Sequence, residues 1–547
     1  MNVLIERLYI FPDSRVEAKG EIYFTARCNR EEYLICFHSP RVDEGLFSHL
    51  EKEAVNENGD EASNGIMGSL AGENFGVKIF PATYNNLLTF DDKIAPRKKL
   101  RALNKEGYGF GMGTGNRVIV SEKDVASLAD ISSCGVFEGI FNALSGSGVP
   151  NWFIQQSIMR ELIPESINHE EFPELGHTGG YGPRELLRAG LFAFFSLGGY
   201  NSWKGDIGAD ADHAIINGNN SSEFQASMQA NKSAIREARD FTKFTVDTCA
   251  LFDFPEGIPL IPKDKQKLVE AMQGSFNVKN ILSNQPGYEY VYTEEEVLNL
   301  SKKYWQALQA HAELYEYIKE LKNGEPFDYE LSLDETEEAT SPKELCFYLK
   351  MLHFWYEIPA GDVTSVAPSV GFSKRSDYEG NLDDLFIHVN ECASIAHTFG
   401  ASLCIHSGSG EGVITGKGDG VDEVLAEATG GKLQLKVSGI FQEILWRTLA
   451  DSDISSERKL FEKAWESTYQ LVKNRSDFVR DLDKEEISFQ SPQATDYFFR
   501  HHSFRIWKLY RKEVYQNVTR NTWREYSRRV MDYTRMRVNK LGLDQSQ

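Results

Sequence analysis

The stretch Gly205-Asp206-Ile207-Gly208-Ala209-Asp210-Ala211-Asp212-His213 decides how this chain of 547 residues is read. Its carboxylates alternate, so on a strand Asp206, Gly208, Asp210 and Asp212 share one face. An apolar core has no use for a row of acids, because a buried unpaired carboxylate is very costly. These acids need a cation, a proton or a substrate hydroxyl opposite them. His213 follows Asp212 directly and in a regular strand would point the other way. Both serve one site only if the strand ends near Ala211 and the chain turns there.

Around this stretch the chain alternates short strands with longer helices. The strand candidates are Tyr108–Gly113, Asn151–Gln156, Lys204–Asp212, Phe244–Asp247, Tyr329–Glu335, Val363–Val370, Ser402–His406 and Leu433–Ser438. Helical stretches follow at Pro183–Leu197, Ser221–Arg239, Glu294–Leu321, Pro342–Trp355, Leu382–Phe399 and Phe441–Leu449. Leu251–Gly287 reads as a long proline-bearing loop. About eight β-then-α units imply an α/β fold of the TIM-type (β/α)8 barrel kind. An open doubly wound sheet would need a dinucleotide-type glycine turn, and the spacing in Gly109–Gly115 does not match one. Residues 1–106 read as a β-rich cover, with Glu51–Gly72 a mobile loop. Residues 107–452 form the expected barrel and 453–547 a helical region packed on it. The aromatics and arginines from Asp496 onward read as a packed helix face rather than a nucleic-acid surface.

In a barrel, the inward face of each strand leads to a site at its C-terminal end. Leu331 and Leu333 face the helices, so Ser332 and Asp334 point inward. By the same alternation Ser402, Cys404 and His406 point inward, as do Gln434, Lys436 and Ser438, and Thr245 and Asp247. His213, His406 and nearby acids make a mixed nitrogen and oxygen set. That suits one divalent Zn, Mn, Fe, Co or Ni ion better than Ca. Asp212 and Glu335 flank it as two acids able to divide base and acid roles. Gln155, Asp210, Asp334 and Ser407 are candidate substrate contacts, and Arg117 and Lys374 are candidates for an anionic end.

The formal net charge of −22 argues against nucleic acid or an anionic membrane as partner. The N-terminus lacks a signal-peptide layout and no apolar run is long enough for a bilayer. Seven scattered cysteines, without a C-x-x-C pair, fit free thiols in a reducing cytoplasm. The partner class is then a small molecule, with a homo-oligomer left open.

Five motifs occur in order: Gly113-Thr114-Gly115-Asn116-Arg117, Gln155-Gln156-Ser157, Gly208 to His213, Leu333-Asp334-Glu335-Thr336-Glu337 with Thr340-Ser341-Pro342, and Ile405-His406-Ser407-Gly408-Ser409. Together with Ala428-Thr429-Gly430-Gly431 and Lys436-Val437-Ser438-Gly439, they resemble the tagaturonate (fructuronate) epimerase family of bacterial galacturonate catabolism. The resemblance covers roughly Gly107 to Leu449. It implies a metal-dependent epimerase interconverting D-tagaturonate and D-fructuronate, with Asp212 as proton acceptor, Glu335 as proton donor, and His213 and His406 on the metal. The family's remaining ligand would come from the segment Val370–Arg375, where Ser373 is a poor metal ligand. A sugar isomerase or aldolase on the same barrel, or an inactive sugar-acid binding homologue, are the alternative readings.

Overall fold

The computed structural model describes residues 8–28, 31–39, 45–51, 66–70, 73–103, 109–113, 135–145, 147–162, 181–255, 262–336, 338–373, 376–406, 408–412 and 416–542. The N-terminal part is a six-stranded sheet. Its strands are β1 (Tyr9–Ile10), β2 (Val16–Ala18), β3 (Glu21–Cys28), β4 (Glu31–His38), β5 (Ile66–Leu70) and β6 (Glu73–Pro81), all paired antiparallel. β5 corrects the expectation of a loop through Gly72, as Ile66–Leu70 pairs in register with β6. The sheet rests on the helix Pro183–Ser196. Phe11 meets Phe192 edge-on at 5.9 Å, and Phe90, beyond β6, meets Phe195 at 4.8 Å. Buried Arg188 of that helix pairs with Glu32 of β4, which ties the sheet to its support.

Eight strands then close on themselves: β7 (Gly109–Gly113), β8 (Asn151–Ser157), β9 (Asp206–Ile215), β10 (Lys243–Asp247), β13 (Asp328–Leu333), β14 (Val363–Pro368), β15 (Ser402–Ile405) and β16 (Leu433–Val437), with β16 pairing back to β7. Every pairing in the ring is parallel. Parallel neighbours need a crossover, and helices supply it between successive strands. The outward residues Val246, Leu331, Leu333, Leu403 and Ile405 are buried under those helices, as alternation predicts. The segment between β10 and β13 is not a loop as expected. It holds a helix, Pro262–Met272, and a hairpin of β11 (Gly274–Val278) and β12 (Tyr288–Tyr292). The prolines misled because Pro262 opens that helix, where its missing N–H costs nothing. The helix Glu294–Lys322 that follows starts on a capping box between Thr293 and Glu296.

The N-terminal mouth of the ring is plugged by the chain just before β7. The Arg101 N–H donates to the Ile207 carbonyl (3.2 Å), the Leu103 N–H donates to Asp328 Oδ2 (2.6 Å), and Arg101 pairs with Asp206. Gly208 permits this, because a Cβ there would sit 3.0 Å from Phe153 and 3.1 Å from the Arg101 carbonyl. At the other end the C-terminal helices Ser455–Lys473, Tyr497–His502, Trp507–Asn517 and Arg520–Lys540 bury Phe498, Phe499, Trp507, Trp523 and Tyr526 against the rest of the chain. The aromatic run therefore packs inward. Arg537 of the last helix is fully buried, donates to the Gly408 carbonyl (2.8 Å) and pairs with Asp422 (3.0 Å). Arg500 donates to the Gly410 carbonyl (2.7 Å).

Burial pushes the Asp328 carboxyl up to about 7, against the pull of Lys243 and the Leu103 N–H. In the unfolded chain it titrates near ~3.9. The folded protein holds the extra proton, so this group's contribution to stability is lost as pH rises from the unfolded value through the folded one. Asp328→Asn is therefore expected to flatten the decline in urea midpoint between about pH 4 and pH 7, measured by denaturant titration across that range.

Candidate active site

The demand placed on Asp212 and His213 is met by a bulge rather than by a strand end. β9 runs on to Ile215. Against β8 it stays in register through Ser157↔Asp212. Against β10 the register shifts: Phe244 pairs with Ala211 but Val246 pairs with Ala214. Two residues, Asp212 and His213, therefore oppose the single Thr245. His213 takes a left-handed backbone conformation, φ 50°. That is uncommon for a residue with a side chain and is disfavoured by roughly 1–2 kcal/mol. The bulge re-aims the histidine so that both side chains enter one cavity. The expectation that the strand ends near Ala211 is corrected accordingly.

Below them the axis of the ring is charged. Lys436 Nζ lies 2.7 Å from Asp212, 2.8 Å from Asp210 and 2.7 Å from Glu330. Lys243 Nζ lies 2.7 Å from Glu330 and donates to Gln434 Oε1 at 2.6 Å. All of these side chains are buried. Thr245 donates to Asp210 (3.0 Å), and Gln155 donates to Asp212 (2.6 Å). Burial works against charge on Glu330, Asp212, Lys243 and Lys436, yet the opposite charges prevail. Glu330 is held well below the usual carboxylate range by Lys243, Lys436 and His406, and Asp212 is held low by His213 and Lys436. Lys436 is raised well above its ordinary value by its three acids.

Above this layer stand the histidines. His406 is gripped from both sides, by Asp334 at Nδ1 (2.9 Å) and Glu330 at Nε2 (3.0 Å). Burial opposes its protonation, but these acids drive it well above the ordinary imidazole value. Ser332 orients Asp334 by donating to it at 2.8 Å. The His213 ring centroid is 5.3 Å from that of His406. His213 Nε2 lies 3.7 Å from Asp212, while its buried Nδ1 lies 3.9 Å from Asp247 and 4.0 Å from Glu335. Glu335 in turn accepts two bonds from Arg160, at 2.5 and 2.6 Å. Burial raises Asp247 above the ordinary range, with His213 working against the shift.

Among the described residues two sets of donors are close enough to hold a cation: His213, Asp247 and Glu335, and Glu330, Cys404 and His406. In each set the donor atoms lie within 4.8 Å of one another. The buried Nδ1 of His213, facing two carboxylates without a hydrogen-bond partner of its own, fits a divalent metal.

Asp212, His213, Asp334, Glu335, His406, Gln155 and Lys436 line a single cavity of about 1080 Å³ at the C-terminal ends of the strands. Asp210 lies beneath it in the charged layer, bound to Thr245 and Lys436. Arg117, Lys374 and Ser407 lie outside the described residues. The Ser373 carbonyl accepts from Lys417, which anchors its segment. Sequence reasoning missed Lys243, Glu330 and Arg160 as parts of this centre. The first two were within reach: each sits one alternation step before an inward residue already read, Thr245 and Ser332. Nothing in the local pattern marks Arg160, whose partner is 175 residues away.

A closed ring of parallel strands carrying acids and imidazoles at its C-terminal ends defines an α/β protein with a candidate catalytic site. Residues 174–488 match the family described as UxaE, tagaturonate epimerase, over more than half of the sequence. The chain belongs to the tagaturonate epimerase family. The matched span contains Asp212, His213, Glu335 and His406 and begins after the Gln155 motif. A tagaturonate/fructuronate epimerase of Thermotoga maritima is 28% identical over 307 residues, 54% of this chain and 53% of that protein. The chain's match thus spans about half the length of this curated relative. The native crystal structure of fructuronate-tagaturonate epimerase UxaE from Cohnella laeviribosi shares the fold at TM-score 0.65 and 18% identity, covering 99% of both chains. Its two-glycerol complex aligns at TM-score 0.67 and 17% identity, again covering 99% of each.

Lys243→Met is expected to strip Glu330 and Asp210 of a counter-charge and to cost about 3–5 kcal/mol. Urea unfolding of the variant measures it. Lys243→Met combined with Glu330→Gln should recover part of the loss.

Proposed function

We propose that this protein is a metal-dependent epimerase of the cytoplasm that interconverts D-tagaturonate and D-fructuronate. The supporting observation is the bulge that turns Asp212 and His213 into the cavity shared with Glu335 and His406. On this reading the ring is a TIM-type (β/α)8 barrel with its site at the strand C-termini. Residues up to about 106 and beyond about 452 are attachments. Among the described residues no helix is long and apolar enough to cross a membrane, and the described cysteines are free.

The two keto acids differ at the carbon β to the ketone. Its C–H is not acidified by that carbonyl, so enolisation alone does not invert it. Retro-aldol cleavage does. Asp212, kept ionised by Lys436 and oriented by Gln155, accepts the proton of the β-hydroxyl. The bond between the α and β carbons breaks, its electron pair passes into an enolate, and the β carbon becomes an aldehyde. The aldehyde turns over, the enolate carbon re-adds to its other face, and the new alkoxide takes a proton from the Glu335 side. Asp212 ends protonated and Glu335 ionised, and exchange with solvent resets both. Arg160 holds Glu335 in place and takes up its charge once the proton has left. A divalent ion held by His213 and Asp247, with His406 joining once its Nε2 exchanges Glu330 for the ion, would supply stabilisation of the enolate charge. Asp334 on His406 Nδ1 orients that ring, as acids behind ligand histidines do.

His406→Ala and His213→Ala are each expected to lose most bound divalent metal, read by elemental analysis of the purified protein. Full occupancy in either variant removes that histidine from the ligand set.

Asp212→Asn is expected to cut turnover by about 10²- to 10⁴-fold while keeping the metal. In D₂O the product should carry no solvent deuterium at the inverted carbon, read by NMR. Deuterium there excludes the retro-aldol route, and failure to convert either keto acid excludes the epimerase reading.

A further inference from the structure

Gln155 follows Phe153 on the inward face of β8, in register with Gly113 of β7 and Asp210 of β9. It is 2% exposed and lines the cavity. Its amide has one orientation open to it. Asp212 is a carboxylate paired with Lys436, so it only accepts, and the NH2 end of the amide has to face it. Gln155 Nε2 donates to Asp212 Oδ2 at 2.6 Å. That bond turns Gln155 Oε1 away from Asp212, and this buried oxygen has no hydrogen-bond partner among the described residues. An unmet buried acceptor is costly, and native interiors keep few of them. A hydroxyl of a bound ligand would meet it.

Which hydroxyl follows from the chemistry. The proton that Asp212 accepts comes from the β-hydroxyl, and Gln155 stands beside Asp212. Oε1 therefore faces a hydroxyl on a carbon next to the β carbon. The α-hydroxyl lies on the ketone side and the γ-hydroxyl on the carboxylate side. Cleavage of the bond between the α and β carbons puts them on different fragments. The α-hydroxyl stays with the enolate, and the γ-hydroxyl leaves with the aldehyde. The aldehyde has to turn over before re-addition, and a hydroxyl held by a fixed strand would stop it. The enolate has to stay in place. Gln155 is pinned to Asp212, which is itself pinned to Lys436. It cannot follow a moving group and suits the one that stays.

We propose that Gln155 Oε1 accepts a hydrogen bond from the α-hydroxyl of the substrate and so holds the enolate fragment while the aldehyde turns. The assignment rests on the epimerase reading for the identity of the substrate. It gives the amide a second task besides orienting Asp212, and it makes the α-hydroxyl a requirement of the site.

The test compares wild-type protein, Gln155→Met and Gln155→Asn in the full chain. Each is assayed with the keto-hexuronate, its α-deoxy analogue and its γ-deoxy analogue. Methionine keeps the length and removes both amide atoms, while asparagine keeps the amide and withdraws it by one carbon. Losing the bond to Asp212 lowers kcat for all three substrates alike. Losing the bond to the α-hydroxyl is read as a ratio. Wild-type protein should prefer the parent acid over the α-deoxy analogue in kcat/KM, and that preference should shrink about 5- to 100-fold in the variants. The preference over the γ-deoxy analogue should stay as it is in wild-type protein. If Gln155→Met does not fold, Gln155→Asn carries the comparison. An undiminished α preference overturns the proposal, as does an equal or larger fall in the γ preference. Either result, with wild-type protein still converting the keto-hexuronate, leaves the epimerase reading standing. Wild-type protein that converts no keto-hexuronate overturns that reading, and this assignment falls with it.

Discussion

Burying carboxylates along the axis of a closed strand ring is the constraint to which the rest of the structure answers. Asp210 and Glu330 are out of solvent, and Asp212 nearly so. Left alone, such charges would neutralise by taking up protons, and their carboxylate chemistry would be lost. Lys243 and Lys436 prevent this from two adjacent layers, rising from strands on opposite sides of the ring. Close packing against Phe153, 4.8 Å below the Lys243 ammonium, seals the lower layer. The upper layer can then present ionised acids to the cavity.

The arrangement also separates stability from chemistry along one axis. The plug at Arg101 and Leu103 closes the N-terminal mouth with backbone bonds and has no part in the cavity. The charged layer joins the two ends. The histidines and Glu335 occupy the cavity end, where the strands give way to turns and side chains have room to meet a ligand.

Much of this was legible because inward and outward faces alternate so strictly. The leucines and isoleucines of β13, β15 and β16 fixed which neighbours point inward, and Asp334, His406 and Lys436 followed. The organising stretch was read with the right residues and the wrong backbone. Two adjacent side chains on one side require an irregularity, and alternation cannot say whether it is a strand end or an inserted residue. The bulge depends on β10, and its register is a property of the pair rather than of either strand. Lys243 and Glu330 went unread for a different reason. A lone charge at the start of a strand looks like a solvated end, and only the cation or acid across the ring makes it part of a core. Arg160 reaches the cavity from a segment whose own sequence says nothing of it. The proline-rich stretch after Asp247 was mistaken because proline opens helices as readily as it breaks them.

The buried arginines of the C-terminal helices carry a consequence for how the protein comes into being. The loop after His406 is held by Arg537, which follows Gly408 by 129 residues. At a synthesis rate of about 5–20 residues per second, the loop waits on the order of ten seconds for its anchor. During that interval the strands of the ring already exist as chain, while the far wall of the cavity does not. A nascent molecule therefore carries its acids and histidines before it has the geometry to use them. The anchor of that loop is made only when the helix carrying Arg537 has been synthesised.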